Sequence, residues 1–355
     1  MSRARRVGLI GAAAGLVAAG VGAGLAAERL AVGRARLKPD ADAREPFGRL
    51  EGRARVVLAD DGVPLHVVEV GPQDAPLTVV FTHGYALELA CWHYQWQGLS
   101  EADGPGRLVF WDQRSHGRSG RSTREHSTID WCGEDLARVI AEVAPSGPLV
   151  LVGHSMGGMT VMALADRYPE LFRERVVGVA LMSTSPGKLS ELTLGIPARM
   201  AKLIKPLTGR TVEQLARRKV LVERTRRVGS DLGFLLTRRY AFGGPVAPSL
   251  VEFVEQMIAA VPIDVIADFY PTFDDHDKLG ALDVLHGIET LVLVGEDDLV
   301  TPSAHSEQIV AALPEAELVV VPAAGHLVQL ERPSLVNLHL RALCARAARA
   351  AGLAA

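Results

Sequence analysis

The chain has 355 residues, 48% of them apolar, and a formal net charge of −3. That length suits one large domain with an insertion, or two domains, and supplies enough apolar material for a sizeable core. The near-neutral charge and the lack of a nucleic-acid-binding motif argue against a nucleic-acid partner, and three widely spaced cysteines, Cys91, Cys132 and Cys344, form neither a disulfide framework nor a zinc pattern.

The first six residues, MSRARR, precede an uncharged run from Val7 to Ala27 that is just long enough to cross a bilayer as a helix. The favoured expectation is a single-pass anchor, so that residues 1–40 form a membrane segment plus linker and the protein is membrane-associated. A secretory signal cleaved after the small residues Gly24 and Ala26 is the alternative, and a soluble Ala-rich helix is the third reading. Arginines flank the run on both sides (Arg3, Arg5 and Arg6 before it, Arg29, Arg34 and Arg36 after it), so charge asymmetry assigns no orientation.

From Arg53 onward, two alternating runs surround Asp61-Gly62, a hairpin signal. The segments PLTVVFTHG and RLVFWDQRSHGRSG each read as a strand that stops in a polar, glycine-rich turn. STIDWCGEDLARVIAEVAP reads as a helix capped by Ser127 or Thr128, with Leu136, Val139, Ile140 and Val143 on one face. PLVLVGHS then gives a strand, MGGMTVMALADRYP a helix and VVGVALMSTS a further strand. Far downstream, ETLVLVGEDD and AELVVVPAAGH are again strands ending in polar loops, and a helix closes the chain. Strands that are apolar throughout and alternate with helices predict an α/β fold whose mostly parallel central sheet is buried on both faces. The alternation breaks between about residues 186 and 280, which predicts a helical insertion over the sheet. The expected organisation is therefore a core over 41–185, a cap over 186–280 and the rest of the core over 281–355.

The frame Gly153-His154-Ser155-Met156-Gly157 fits G-x-S-x-G between a strand and a helix. A serine lifted on so sharp a turn is a nucleophile candidate, and the glycines make room for it. It needs a base and an acid to orient that base. His326 lies in the loop after the last strand, on the sheet edge from which Ser155 emerges. His83, His116 and His154 share that edge; the position of His154 beside the serine suggests a side chain turned away, and His116 reads as structural. Glu296, Asp297 and Asp298 follow the preceding strand, and composition does not choose among them. The backbone amides of Met156 and Tyr85 are the expected oxyanion-hole donors, with Gly84 permitting close approach.

With these motifs in place, the sequence resembles the α/β-hydrolase superfamily, in particular its branch of serine esterases, lipases and haloperoxidase-like perhydrolases. THGYA, DQRSHGRS, GHSMGG, VGEDDLVTP and AAGHLVQLERP stand in that family's order between about residues 53 and 348. The resemblance implies an α/β-hydrolase fold with a helical cap, Ser155 as nucleophile, His326 as base, and Asp298, three places after Gly295, as the acid. It implies neither cofactor nor metal, and a small-molecule ester or lipid-like substrate with a hydrophobic acyl group. Perhydrolase or thioesterase action on the same triad is the alternative, weakened for perhydrolysis because Ala86 stands where that branch often has proline. A non-catalytic ligand-binding protein, or a membrane-tethered interaction protein working through its basic and apolar segment 199–227, is the alternative from another class. Phe234, Tyr240, Phe242, Phe269, Tyr270 and Phe273 either line the pocket or pack the core. Nothing in the sequence fixes the oligomeric state.

Overall fold

The computed structural model describes residues 39–101, 104–187 and 231–353, together with Gly33. The expected membrane segment and the basic stretch 199–227 lie outside the described residues. Among the described residues no helix is long and apolar enough to cross a membrane.

The hairpin signal at Asp61-Gly62 becomes β1 (Arg53–Leu58) and β2 (Pro64–Val70), which pair antiparallel with Leu58 opposite Pro64. The βα alternation then runs through β3 (Thr78–Thr82), α1 (His93–Leu99), β4 (Arg107–Trp111), α2 (Ile129–Val143), β5 (Leu149–His154), α3 (Met156–Arg167), α4 (Pro169–Arg175) and β6 (Val176–Met182). Between β6 and β7 (Glu289–Gly295) the chain forms helices α5 (Asp231–Ala241), α6 (Pro248–Ala260), α7 (Ile263–Phe269) and α8 (Thr272–Asp275). It closes with α9 (Ser303–Ala312), β8 (Glu317–Val321), α10 (Val328–Glu331) and α11 (Pro333–Ala350). Of the two candidate caps for α2, Thr128 is the one used: its side chain accepts from the amide of Trp131 at 3.2 Å.

The eight strands form one sheet in the order β1-β2-β4-β3-β5-β6-β7-β8. The two ladders of β2, with β1 and with β4, are antiparallel; the other ladders are parallel. Strands β3, β4 and β5 are buried along their whole length, as their unbroken apolar sequences require of a sheet covered on both faces. One face packs α1 and α11 against alternate strand residues such as Val150 and Val152, and the other packs α2, α3 and α9 against Leu149 and Leu151. Side chains alternate along a strand, so His154, two places beyond Val152, belongs to the α1/α11 side.

This topology positions the site. The chain leaves β3 for β4 on one side and later enters β5 on the other, so the loops after β3 and β5 part in opposite directions. Their strands are hydrogen-bonded neighbours, with Thr82 opposite Gly153. A crevice opens at such a point at the strands' carboxyl ends. The residues at the two ends of the span that holds α5 to α8 meet. Gly187 and Asp277 form an isolated antiparallel bridge, and the amide of Lys278 donates to the carbonyl of Pro186 at 2.7 Å. The Lys278 ammonium ion-pairs with Asp130 at 2.8 Å and Asp166 at 2.7 Å.

Candidate active site

Ser155 lies between β5 and the first residue of α3, with φ 53° and ψ −121°. Side-chain-bearing residues rarely adopt a positive φ, and such strain persists only where the surroundings enforce it. Here the Ser155 amide donates to the carbonyl of Met182 at 2.9 Å, and Thr184 Oγ1 donates to the carbonyl of Ser155 at 2.7 Å. The glycine two places on is dictated by space. A Cβ at Gly157 would run into the backbone of Thr82, with the His83 carbonyl oxygen 2.7 Å away.

His326 lies in the loop between β8 and α10, and Asp298 in the loop after β7. His326 Nδ1 stands 3.0 Å from Asp298 Oδ2 and 3.2 Å from Oδ1. The Asp298 carboxylate also accepts from the amides of Val300 and Thr301, both at 2.8 Å, and from Thr301 Oγ1 at 2.9 Å. Burial opposes its charge. The neighbouring imidazole and these donors outweigh that and hold the carboxyl below the ordinary aspartate value. A carboxylate facing Nδ1 makes that nitrogen the donor, which leaves a lone pair on Nε2. Among the three carboxylates that composition left open, Asp298 is buried and meets the imidazole, while Glu296 and Asp297 are exposed.

Ser155 and His326 line one cavity of about 390 Å³ with Gly84, Tyr85, Leu87 and His154, under a wall from α5 and α6 that includes Leu236, Tyr240 and Ile258. No hydrogen bond joins Ser155 Oγ to His326 among the described residues. Met156 opens α3, where an amide has no intrahelical acceptor. Tyr85 follows β3, and its hydroxyl donates to the carbonyl of Ile266 in α7 at 2.5 Å, so the loop that carries its amide is tied to the helical insertion. The four residues expected to converge beside Ser155 are thus brought to one crevice.

Other sequence expectations divide. Of the six insertion aromatics, Tyr240 lines the cavity, while Phe234, Phe242 and Phe269 are core residues. His154 does not turn away from the site. Its Nε2 donates to the His326 carbonyl at 2.9 Å, and the two rings lie 4.8 Å apart. Burial, then the neighbouring His326, pushes the His154 pKa down to about 3, so the ring is neutral. Glu331, missed in the sequence, accepts from the amides of Gly243, Gly244 and Gly325 at 3.0, 2.6 and 2.7 Å, fastening the insertion to the His326 loop. A carboxylate five places after a candidate base was the available signal, but nothing local marks the partners it would meet. Cys91, Cys132 and Cys344 are buried and unbridged, and among the described residues no cluster of side chains could hold a metal ion.

Comparison with known proteins adds four findings. Residues 79–337 match the family model described as "Alpha/beta hydrolase family". The sn-1-specific diacylglycerol lipase ABHD11 of Mus musculus is 29% identical over 265 residues, which is 73% of this chain and 78% of that protein. The proline iminopeptidase PfmaB of Pestalotiopsis fici is 25% identical over 279 residues, covering 76% of this chain and 92% of that one. Among solved structures, a thermophilic esterase from Thermogutta terrifontis superposes with a TM-score of 0.62 at 24% identity, covering 83% of this chain and 99% of that one. A likeness at that identity speaks for the fold.

Proposed function

The chain belongs to the alpha/beta hydrolase family, and from that premise we propose that it cleaves carboxylic esters with a hydrophobic acyl group through Ser155, His326 and Asp298. One observation carries the reading: the strained Ser155 turn and the Asp298-bound imidazole of His326 face a single, mainly apolar cavity. A binding module would need neither the strained serine nor the buried carboxylate aligned on the histidine.

In this reading the Ser155 oxygen attacks the ester carbonyl while His326 Nε2 takes the hydroxyl proton. Asp298 keeps the proton of the neutral ring on Nδ1 and stabilises the imidazolium that forms. The amides of Met156 and Tyr85 receive the negative charge that develops on the carbonyl oxygen. The tetrahedral adduct collapses to an acyl-serine, and the leaving alcohol takes the proton from His326 Nε2. Water then attacks the acyl-serine, giving its proton to His326, and the serine is regenerated as the carboxylic acid departs. Leu87, Leu236, Ile258 and Leu327 supply the apolar wall for the acyl chain. The cavity lies toward the small end of ligand pockets, which span roughly 300–1,000 Å³, and that favours a medium-length chain. The N-terminal anchor is a further part of the proposal: it would hold this site at a membrane surface, where such esters concentrate, and carbonate extraction of membranes tests it.

The decisive experiment exposes the full-length protein and its Ser155→Ala variant to a fluorophosphonate and to p-nitrophenyl esters of increasing chain length. Labelling and turnover in the wild type alone, with a chain-length optimum, is the expected result. A folded wild type that neither labels nor turns over would point instead to ligand binding without catalysis.

A further inference from the structure

The loop after β3 carries a contradiction. Gly84 is required by space, because a Cβ there would stand 2.9 Å from His154 Nδ1 and 3.1 Å from Ser155 Cβ. Glycine, however, is the residue least able to hold its own backbone in one conformation. The peptide between Gly84 and Tyr85 is the one whose amide faces the developing oxyanion in the reading above. If that peptide turned over, a carbonyl oxygen would replace the donor and repel the charge it should bind.

Three buried polar side chains prevent this. His83, fully buried, sits between two partners of fixed chemistry. The amide of Gln113 can only donate, and it meets His83 Nε2 at 2.9 Å; the carbonyl of Gly84 can only accept, and it lies 2.7 Å from His83 Nδ1. The ring is therefore neutral with its proton on Nδ1, and burial lowers its pKa in the same sense. The Gly84 carbonyl receives a second donor, the amide of Leu87, at 3.3 Å. In a trans peptide the N–H points opposite to the C=O, so pinning the Gly84 oxygen aims the Tyr85 amide the other way. Gln113 also holds His83 from behind, its Nε2 donating to the His83 carbonyl at 2.6 Å. Its remaining atom, Oε1, accepts from Thr160 Oγ1 at 2.7 Å, and Thr160 lies one helical turn after Met156 in α3. Gln113 and Thr160 are both fully buried and every polar group of the Gln113 side chain is used.

We propose that Gln113, held by Thr160, is a positioning residue that acts through His83 to lock the Gly84–Tyr85 peptide with its amide toward the oxyanion. This rests on the hydrolase reading above and adds to it a residue that touches no substrate. It also links two donors: Thr160 belongs to the helix that Met156 opens, so the lock sets the Tyr85 amide in register with the Met156 amide.

The test compares wild type with Gln113→Leu, which keeps the approximate volume and removes both polar atoms. Loss of an oxyanion donor lowers kcat by about 100- to 1,000-fold. A donor merely released from its lock should lower it by about 10- to 100-fold, with KM within a factor of two. The Ki of a trifluoromethyl ketone, which adds to the serine as a tetrahedral oxyanion, should rise by the same factor as kcat/KM falls. Thr160→Val, isosteric and less disruptive, should move both quantities in the same direction by a smaller factor, and Thr160→Ser should recover most of that loss. It carries the test if Gln113→Leu does not fold. A lowered melting temperature with an unchanged Ki would overturn the proposal and leave these side chains as packing. Nitrogen-15 NMR of His83 reads the lock without turnover: the wild type should show Nδ1 protonated, and Gln113→Leu, whose backbone amide still meets Nε2, should keep that tautomer. A wild type in which the ester series gives no turnover would sink the hydrolase reading. A wild-type His83 protonated on Nε2 would sink the lock.

Discussion

Asp298 shows how one side chain is fitted to a single task. Its carboxylate has four donors, two of them amides from its own loop, and they orient both oxygens toward His326 before any substrate arrives. Replacing it with asparagine keeps the shape but presents an N–H to Nδ1, so the imidazole carries its proton on the wrong nitrogen. We expect Asp298→Asn to lower kcat by about 10³- to 10⁴-fold with little change in KM, as the tautomer argument requires, measured on the best p-nitrophenyl ester. A variant within tenfold of wild type would remove Asp298 from the mechanism. The folded-state pKa of Asp298 lies below the unfolded value, near 3.9. Its stabilising contribution is therefore complete above that value and is lost as pH falls through the lowered one. At this scale the sequence said only part. It offered three adjacent carboxylates, and the choice depended on which side chain the loop turns inward. It placed His154 beside the serine, but strand parity and the α1/α11 packing turn the ring onto the base loop.

The strand-turn-helix of β5 and α3 is the element on which the site depends, and it was the most legible part of the chain. Glycines at fixed offsets from a serine are dictated by local backbone crowding, so they announce themselves in the sequence. The same crowding makes a firm prediction. Gly157→Ala would drive a methyl group into the backbone of Thr82 and His83, and backbone cannot move aside as a flexible side chain can. We expect a loss of at least about 1–3 kcal/mol, the usual scale of overpacking, together with loss of fluorophosphonate labelling. Unchanged denaturant midpoint and labelling would show that β3 and α3 can separate without consequence. The hairpin at Asp61-Gly62 and the helix at Thr128 were legible for the same reason, since turn and cap chemistry is local. Gln113, Thr160 and Glu331 were not. Each meets partners brought near only by the folding of distant segments, and a single glutamine in DQRSHGRS carries no mark of the histidine it will face.

Across the whole molecule, the buried histidines set how the fold answers acid. Burial pushes His116 and His154 down to about 3 and His276 down to about 4, and also lowers His83. Unfolded histidine takes up its proton near 6.5. Between that value and the lowered ones the unfolded chain holds more protons than the folded one, so stability falls as pH drops through this window. His116, His154 and His276 should each remove roughly 2 kcal/mol of stability between pH 7 and pH 5, read as a shift of the urea midpoint. A midpoint that stays constant over that interval would mean that these rings charge within the fold. The pairing of Gly187 with Asp277 has a different consequence. Because Gly187 and Asp277 pair and the flanking strands β6 and β7 are neighbours in the sheet, exchanging the span between them leaves the order of the strands unchanged. An exchange of that span would still reach the machinery beneath it, because Ile266 holds the Tyr85 hydroxyl and the amides of Gly243 and Gly244 hold Glu331 beside the His326 loop.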